Sequence, residues 1–150
     1  ELAGDPTEGA LLVLAHKGGS FSSEKSEVLK LDDLPFNSKQ KFRATLYQSD
    51  ESREILVVGA PERILELSVD YLGKSGHEQM NETVKKQVQQ QIDEWSGNAM
   101  RVIGLAYKKV PETTKKLINN HFLNDRQYES TLFSTLSNLS VPFGKLLEFG

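Results

Sequence analysis

Residues 34–47, LPFNSKQKFRATLY, place one aromatic side chain and a row of cations in a single short stretch. Phe36 stands between Pro35 and the turn-forming pair Asn37-Ser38, and Lys39, Lys41 and Arg43 follow at every second position. Read as a strand, this spacing puts the three cations on one face and Ser38, Gln40, Phe42 and Ala44 on the other. Two chemistries fit the pattern. A solvated edge strand uses such charges to prevent sheet-to-sheet association. An anion site would use the ring as a stacking platform and the cations for phosphates, and stacking a base on an aromatic contributes ~1–3 kcal/mol.

A second stretch, DPTEGAL at 5–11, carries the same ambiguity. Glu8 lies three residues after Asp5, the spacing of a capping box, and a capping Asp is worth ~0.5–2 kcal/mol with no function attached. An exposed first-turn carboxylate could also accept a hydrogen bond from an amino group on a base. Other familiar arrangements are missing. GKSG at 73–76 lacks the earlier glycine of a phosphate-binding P-loop, because Ser68 stands there. His16, His77 and His121 are far apart and have no metal-like spacing. There is no nucleophile elbow or Ser-His-Asp pattern.

The elements that must position these residues can be read from periodicity and punctuation. Asp5, Pro6 and Glu8 open a helix that Gly18-Gly19 closes, with His16 and Lys17 in its last turn. Residues 27–34 predict a strand. KFRATLYQ (41–48) and REILVV (53–58) around the polar turn SDES predict a hairpin. Pro61 opens a helix in GAPERILELSVDYL, and LGKSGHEQ reads as a loop. Asn81 caps an amphipathic helix to Gly97, with Val84, Val88, Ile92 and Trp95 on one face. AMRVIGLAYKKV (99–110) predicts a strand. Residues 111–130 form a polar, partly helical connection, and the stretch 131–150 holds one or two strands interrupted by Pro142 and Gly144. This order predicts an α+β fold with a mainly antiparallel sheet flanked by helices.

Composition bounds the function. A chain of 150 residues suits one domain spanning 1–150. A formal net charge of -3 gives no basic surplus for a nucleic-acid backbone. The absence of cysteine excludes disulfides and thiolate metal sites. Runs such as ALLVLA and ILVVGA are far shorter than the ~20 residues of a membrane helix. The chain opens on Glu1 and enters a structured motif within a few residues, as a domain excised from a longer protein would.

Four motifs in order, GDPTEGAL, LPFNSKQKF, VVGAPERIL and MRVIGLAYK, resemble the nucleotide-binding (N) domain of P-type cation-transporting ATPases. They look like that family's D-P-x-E-x-A-L, P-F-x-S-x-x-K, K-G-A-P-E and M-R-V-[LI]-x-x-A patterns, and are most similar to the calcium, sodium-potassium and proton pump branches. The resemblance covers essentially the whole chain. It implies a twisted, mainly antiparallel sheet with flanking helices, and a domain that binds ATP or ADP on the cytoplasmic face of a membrane pump. The domain would present the γ-phosphate to a separate phosphorylation domain. That domain and the actuator domain of the same parent chain would be its partners and would hold most of the Mg²⁺. No nucleic acid and no direct membrane contact is expected, and the fragment should be a monomer that binds ATP without hydrolysing it.

The resemblance also assigns roles. Phe36 matches the ring that stacks on adenine, Glu8 the carboxylate near the adenine amino group, and Lys41 the pocket lysine. Gly59 and Ala60 match small residues that let the nucleotide approach the sheet, and Arg101 matches an arginine at the phosphate end. Two positions depart from the pattern. Val58 stands where the family usually has lysine, which removes a pocket cation, and Ser38 stands where some members carry arginine. A competing expectation follows from Val58: an N-domain-like structural or interaction module that has lost its nucleotide. The phosphorylated aspartate motif D-K-T-G-T does not occur in the chain, so no catalytic residue and no metal site is expected here.

Overall fold

The computed structural model describes residues 6–17, 28–49, 52–73, 75–118, 136 and 139–141. In chain order these form α1 (Pro6–Lys17), β1 (Leu29–Leu34), β2 (Phe42–Gln48), β3 (Arg53–Gly59), α2 (Pro61–Leu67), β4 (Ser68–Gly73), β5 (Gly76–Gln79), α3 (Glu82–Gly97), β6 (Gly104–Val110) and β7 (Leu139–Val141). The strands make one sheet in the order β1-β2-β3-β6-β7-β4-β5. All neighbours are antiparallel except β4 and β7. The fold is the α+β class expected from the element order.

The centre of the sheet follows from alternation. Phe42, Ala44 and Leu46 of β2 are buried, and Gly59, Val57 and Ile55 of β3 lie directly opposite them. Residues opposite one another in an antiparallel pair share a face. The row continues into β6, where Gly104 faces Gly59 and Ala106 faces Val57. α2 covers this face. A Cβ built on Gly104 would lie 2.7 Å from Ile64 Cγ1 and 3.0 Å from Pro61 Cα, so the helix rests on the strand where a side chain is missing. Ile64, Leu65, Leu67, Met80, Leu117 and Leu136 complete the core. After β6 the chain folds back across the other end of the sheet. The Leu117 N–H donates to Asp32 Oδ2 at 2.8 Å, and Arg53 Nη1 donates to the Thr114 carbonyl at 2.6 Å.

Three local differences from the sequence reading have clear causes. α2 stops at Leu67, without Gly or Pro, because Ser68 turns extended and its hydroxyl donates back to the Ile64 carbonyl at 2.7 Å. The residues after it therefore start a strand rather than prolonging a helix. The supposed loop LGKSGHEQ instead carries a strand pairing: β4 and β5 meet at Gly73 and Gly76, and Gly76 takes φ 110°. β6 starts at Gly104 instead of residue 99, because the turn that ends α3 takes the chain to Met100 and residues 101–103 are irregular. Asn81 caps that helix by accepting from the Val84 N–H at 2.9 Å. Its far end is a Schellman turn: the Met100 N–H reaches the Trp95 carbonyl and the Ala99 N–H reaches that of Ser96, with Ala99 at φ 58°. Residues 111–118 are turn and irregular chain rather than helix, 119–130 lie outside the described residues, and of the C-terminal stretch only Leu136 and β7 are described.

Candidate functional site

Phe36 sits in the turn that carries the chain from β1 to β2. Pro35 follows the last residue of β1, and the Phe36 ring is 63% exposed. The turn is held from inside. Asn37 Oδ1 accepts from the Lys39 N–H at 2.8 Å, and the Asn37 carbonyl accepts from the Lys41 N–H at 2.7 Å. Gln40 reaches back to the Pro35 carbonyl at 3.4 Å. The cations at 39, 41 and 43 therefore do not form one strand face. Residues 38–40 are turn, Lys41 adopts the left-handed conformation at φ 61°, and the strand begins only at Phe42. Arg43 alone of the three lies within β2.

The left-handed step at Lys41 aims its carbonyl at the next strand, where the Ala60 N–H donates to it at 2.8 Å. Gly59 makes this approach possible. A Cβ there would collide with the Lys41 carbonyl oxygen and lie 2.5 Å from Phe42 Cα. The absence of a side chain at 59 is thus occupied by the protein's own β2, which differs from the expected role of leaving room for a ligand. Ala60 also accepts at its carbonyl from the Arg63 and Ile64 N–H groups, so the same residue opens α2.

The other face of the sheet carries the charges. Arg43 and Val58 are direct cross-strand partners, and Leu105 lies beyond Val58 on β6. Val58 is half-buried. Glu8, in the first turn of α1, reaches the same face: its Oε1 is 3.5 Å from Arg43 Nη1. Arg43 Nη2 is also 3.5 Å from Asp33 Oδ1, which accepts from the Thr45 hydroxyl at 2.8 Å. The Thr45 hydrogen bond, opposed by burial and aided by Lys30 and Arg43, holds the Asp33 carboxyl below its usual pKa. The sequence had placed Arg43 only in the cation row. Its contact with Glu8, across 35 positions of chain, has no local signal.

The structure therefore brings Phe36, Ser38 and Lys41 together in one turn, joins that turn to Gly59 and Ala60, and sets Glu8 beside the partner of Val58. Ser38 is exposed within the turn. Arg101 is placed differently. It is exposed on the connection from α3 to β6 and borders a cavity of about 540 Å³ between α2 and α3, whose walls include Ile64, Val88, Trp95 and Ile103. Glu8, Phe36, Lys41 and Val58 do not line that cavity. Among the described residues no cluster of His, Cys, Asp or Glu is arranged to hold a metal ion, and no helix is long and apolar enough to cross a membrane.

Residues 1–138 match the family model of the P-type ATPase cytoplasmic domain N. The chain belongs to that N-domain family. It is similar to a calcium-transporting ATPase of Listeria monocytogenes, 29% identical over 116 residues, which are 76% of this chain and 13% of the relative. It is 34% identical to a cation-transporting ATPase of Synechocystis over 110 residues, 73% of this chain and 12% of the relative. It is 31% identical to the human sodium/potassium-transporting ATPase subunit alpha-4 over 117 residues, 75% of this chain and 11% of that protein. This N domain thus spans only about an eighth of the length of these relatives.

Proposed function

We propose that this N domain binds ATP at the surface formed by the Pro35–Lys41 turn and the Gly59-Ala60 step. It would present the γ-phosphate to the phosphorylation domain of a P-type cation-transporting ATPase of which it is part. The observation that carries this reading is the Lys41–Ala60 backbone bond, which joins residues 19 positions apart in sequence into one surface. On that surface Phe36 offers an open ring for the base, with Lys41 and Ser38 in the same turn, and Glu8, beside Arg43, would serve the amino group. Arg101, on the connection into β6, would serve the phosphate end. Positioning of this kind is a large part of phosphoryl-transfer catalysis, and the accepting aspartate belongs to another domain. The parent would be an ATP hydrolase at a membrane, with this domain on its cytoplasmic side. Mg²⁺ would be bound mainly by the phosphorylation domain, and the actuator domain would be the other partner.

Val58, where relatives of this family usually carry lysine, favours a second reading, a structural or interaction module without a nucleotide. Titration with ATP and ADP, followed by amide NMR shifts, separates the two. Under the first reading both nucleotides shift residues of the 35–41 turn at a single site, and Phe36→Ala weakens binding by ~1–3 kcal/mol. No shifts with either nucleotide favours the second, and binding unchanged by Phe36→Ala means that the base does not stack on that ring. The fragment alone should release no phosphate from ATP above a buffer control.

A further inference from the structure

The cavity between α2 and α3 is larger than close packing leaves. It holds about 540 Å³, whereas voids in a well-packed interior seldom exceed a water molecule. The placement of α3 is the cause. Val84, Val88, Ile92 and Trp95 give that helix one apolar face and line the cavity, yet only Ile92 among them is buried. Ile64 and Leu65 of α2 line the same space. The helix thus stands off from the element it faces, and the gap lies between two apolar walls. Sites for small organic ligands have about this size and character: about 300–1,000 Å³, mostly apolar, with a few convergent polar groups.

The polar groups on the wall decide which ligand fits. Tyr71 and Gln91 border the space, but the Tyr71 hydroxyl donates to Glu78 at 2.7 Å and the Gln91 amide nitrogen donates to Glu94 at 3.2 Å. The rings of Tyr71 and Trp95 therefore offer apolar surface. Arg101 is the only charged side chain on the wall. It is exposed and makes no ion pair among the described residues. A guanidinium only donates, and no carboxylate on the wall competes for it. The cavity is thus complementary to an anion at one point and to an apolar body elsewhere.

We propose that this cavity is a second ligand site, for a small molecule with a flat apolar body and one anionic group. The body lies between α2 and α3 against Trp95 and Ile64, and the anion meets Arg101. Glu8, Phe36, Lys41 and Val58 do not line the space. Arg101 is the one group that this site and the proposed nucleotide surface share.

The test uses two dyes, anilinonaphthalene sulfonate and phenylnaphthylamine, which is the same ring system without the anion. Titrations run without nucleotide, so their outcome does not depend on the ATP-binding reading. Trp95 is the single tryptophan of the chain and lines the cavity, so its emission reports on the site. Both dyes should bind the 150-residue chain and quench Trp95. Arg101→Gln should weaken the sulfonate about 5- to 10-fold, the worth of one partly exposed charged contact, and leave the neutral dye unchanged. Val88→Phe, which fills the space, should abolish quenching by both. If it melts below the working temperature, Val84→Phe takes its place. Undiminished binding in the filled variant would put the dyes on apolar surface elsewhere and overturn the proposal. Loss of dye binding in Phe36→Ala would move them to the nucleotide surface, with the same result. An unaltered sulfonate affinity in Arg101→Gln removes the anion subsite, and no binding of either dye by the unmodified chain removes the site.

Discussion

The carbonyl of Lys41 accepts the Ala60 N–H at 2.8 Å, and it can do so because Lys41 sits at φ 61°. A left-handed conformation costs an ordinary residue ~1–2 kcal/mol, and such strain concentrates at functional positions. If lysine is present at this position for its ammonium, the strain and the charge separate by substitution. Lys41→Gly should leave stability unchanged or raise it by up to ~1 kcal/mol, because relief of strain outweighs the ~0.4–1 kcal/mol entropic cost of glycine. Lys41→Ala keeps the strain and should gain nothing. Both should weaken ATP binding by a similar factor in calorimetric titration. Full ATP affinity in the glycine variant would reduce Lys41 to a backbone role.

Gly59 and Gly104 face each other across β3 and β6, and each is small for a different neighbour. Gly59 admits the backbone of β2, and Gly104 admits α2 through Ile64 and Pro61. Overpacking of this kind typically costs ~1–3 kcal/mol. Gly104→Ala should lie within that range, since part of its contact is the Ile64 side chain, which can shift. Gly59→Ala meets rigid backbone at Lys41 and Phe42 and should cost more. Chemical denaturation of both variants checks the order, and a smaller loss at 59 than at 104 would contradict it.

Ala99 is the other non-glycine residue at positive φ among the described residues, 58°, and it occupies the position of the Schellman turn where glycine is favoured. Ala99→Gly should raise stability by up to ~1 kcal/mol, by the same balance as at Lys41. It should not alter ATP binding. A thermal melt that falls instead would mean that the Ala99 methyl group makes a contact worth more than the strain.

Much of this was legible because the signals were local. The β2–β3 hairpin declared itself by alternation around a polar turn, and the turn is closed by the Ser49 N–H on the Ser52 carbonyl at 2.9 Å. Asn81 marked the start of α3 by its side-chain chemistry. β4 was hidden because α2 ends on a serine hydroxyl rather than on a glycine, which leaves no punctuation between helix and strand. In the site, the exposed Phe36 between proline and a turn was readable. The left-handed Lys41, and the contacts Lys41–Ala60 and Glu8–Arg43, were not. They depend on how strands register and where α1 comes to lie, and no spacing rule carries that information.

Asp33 gives the fold an acid-sensitive point. Its pKa is lowered chiefly by the Thr45 hydroxyl, so the folded state favours the carboxylate. The stabilisation is fully present above the ordinary value of 3.8 and is lost as pH falls through the lower folded value. The stability gap between the natural chain and Asp33→Asn should therefore hold steady from neutral pH down to the ordinary carboxylate range and narrow below it. Denaturation series at stepped pH check this. A gap that stays constant into strong acid would show that ionisation of Asp33 contributes nothing.

Position 58 faces Arg43, and this changes what a lysine there should do. Like charges directly opposite one another on adjacent strands destabilise, and cross-strand pair effects run ~0.2–1 kcal/mol. Val58→Lys should lower stability by an amount in that range. The long stem can carry its ammonium to water from a half-buried site, so burial of the charge itself adds little. Two controls separate charge from packing. High salt should remove much of the loss, because exposed charges are screened beyond ~8–10 Å. Arg43→Met in the same chain should remove it as well, because the opposing cation is gone. A loss that survives both would mean that Val58 is held by core contacts that lysine breaks. The ligand then reports on the site. A ligand that binds only the folded state raises stability with the logarithm of its concentration over the dissociation constant. If position 58 borders the nucleotide, the new ammonium tightens ATP binding, and saturating ATP should raise the melting point of Val58→Lys more than that of the natural chain. An equal or smaller rise would place Val58 away from the bound nucleotide.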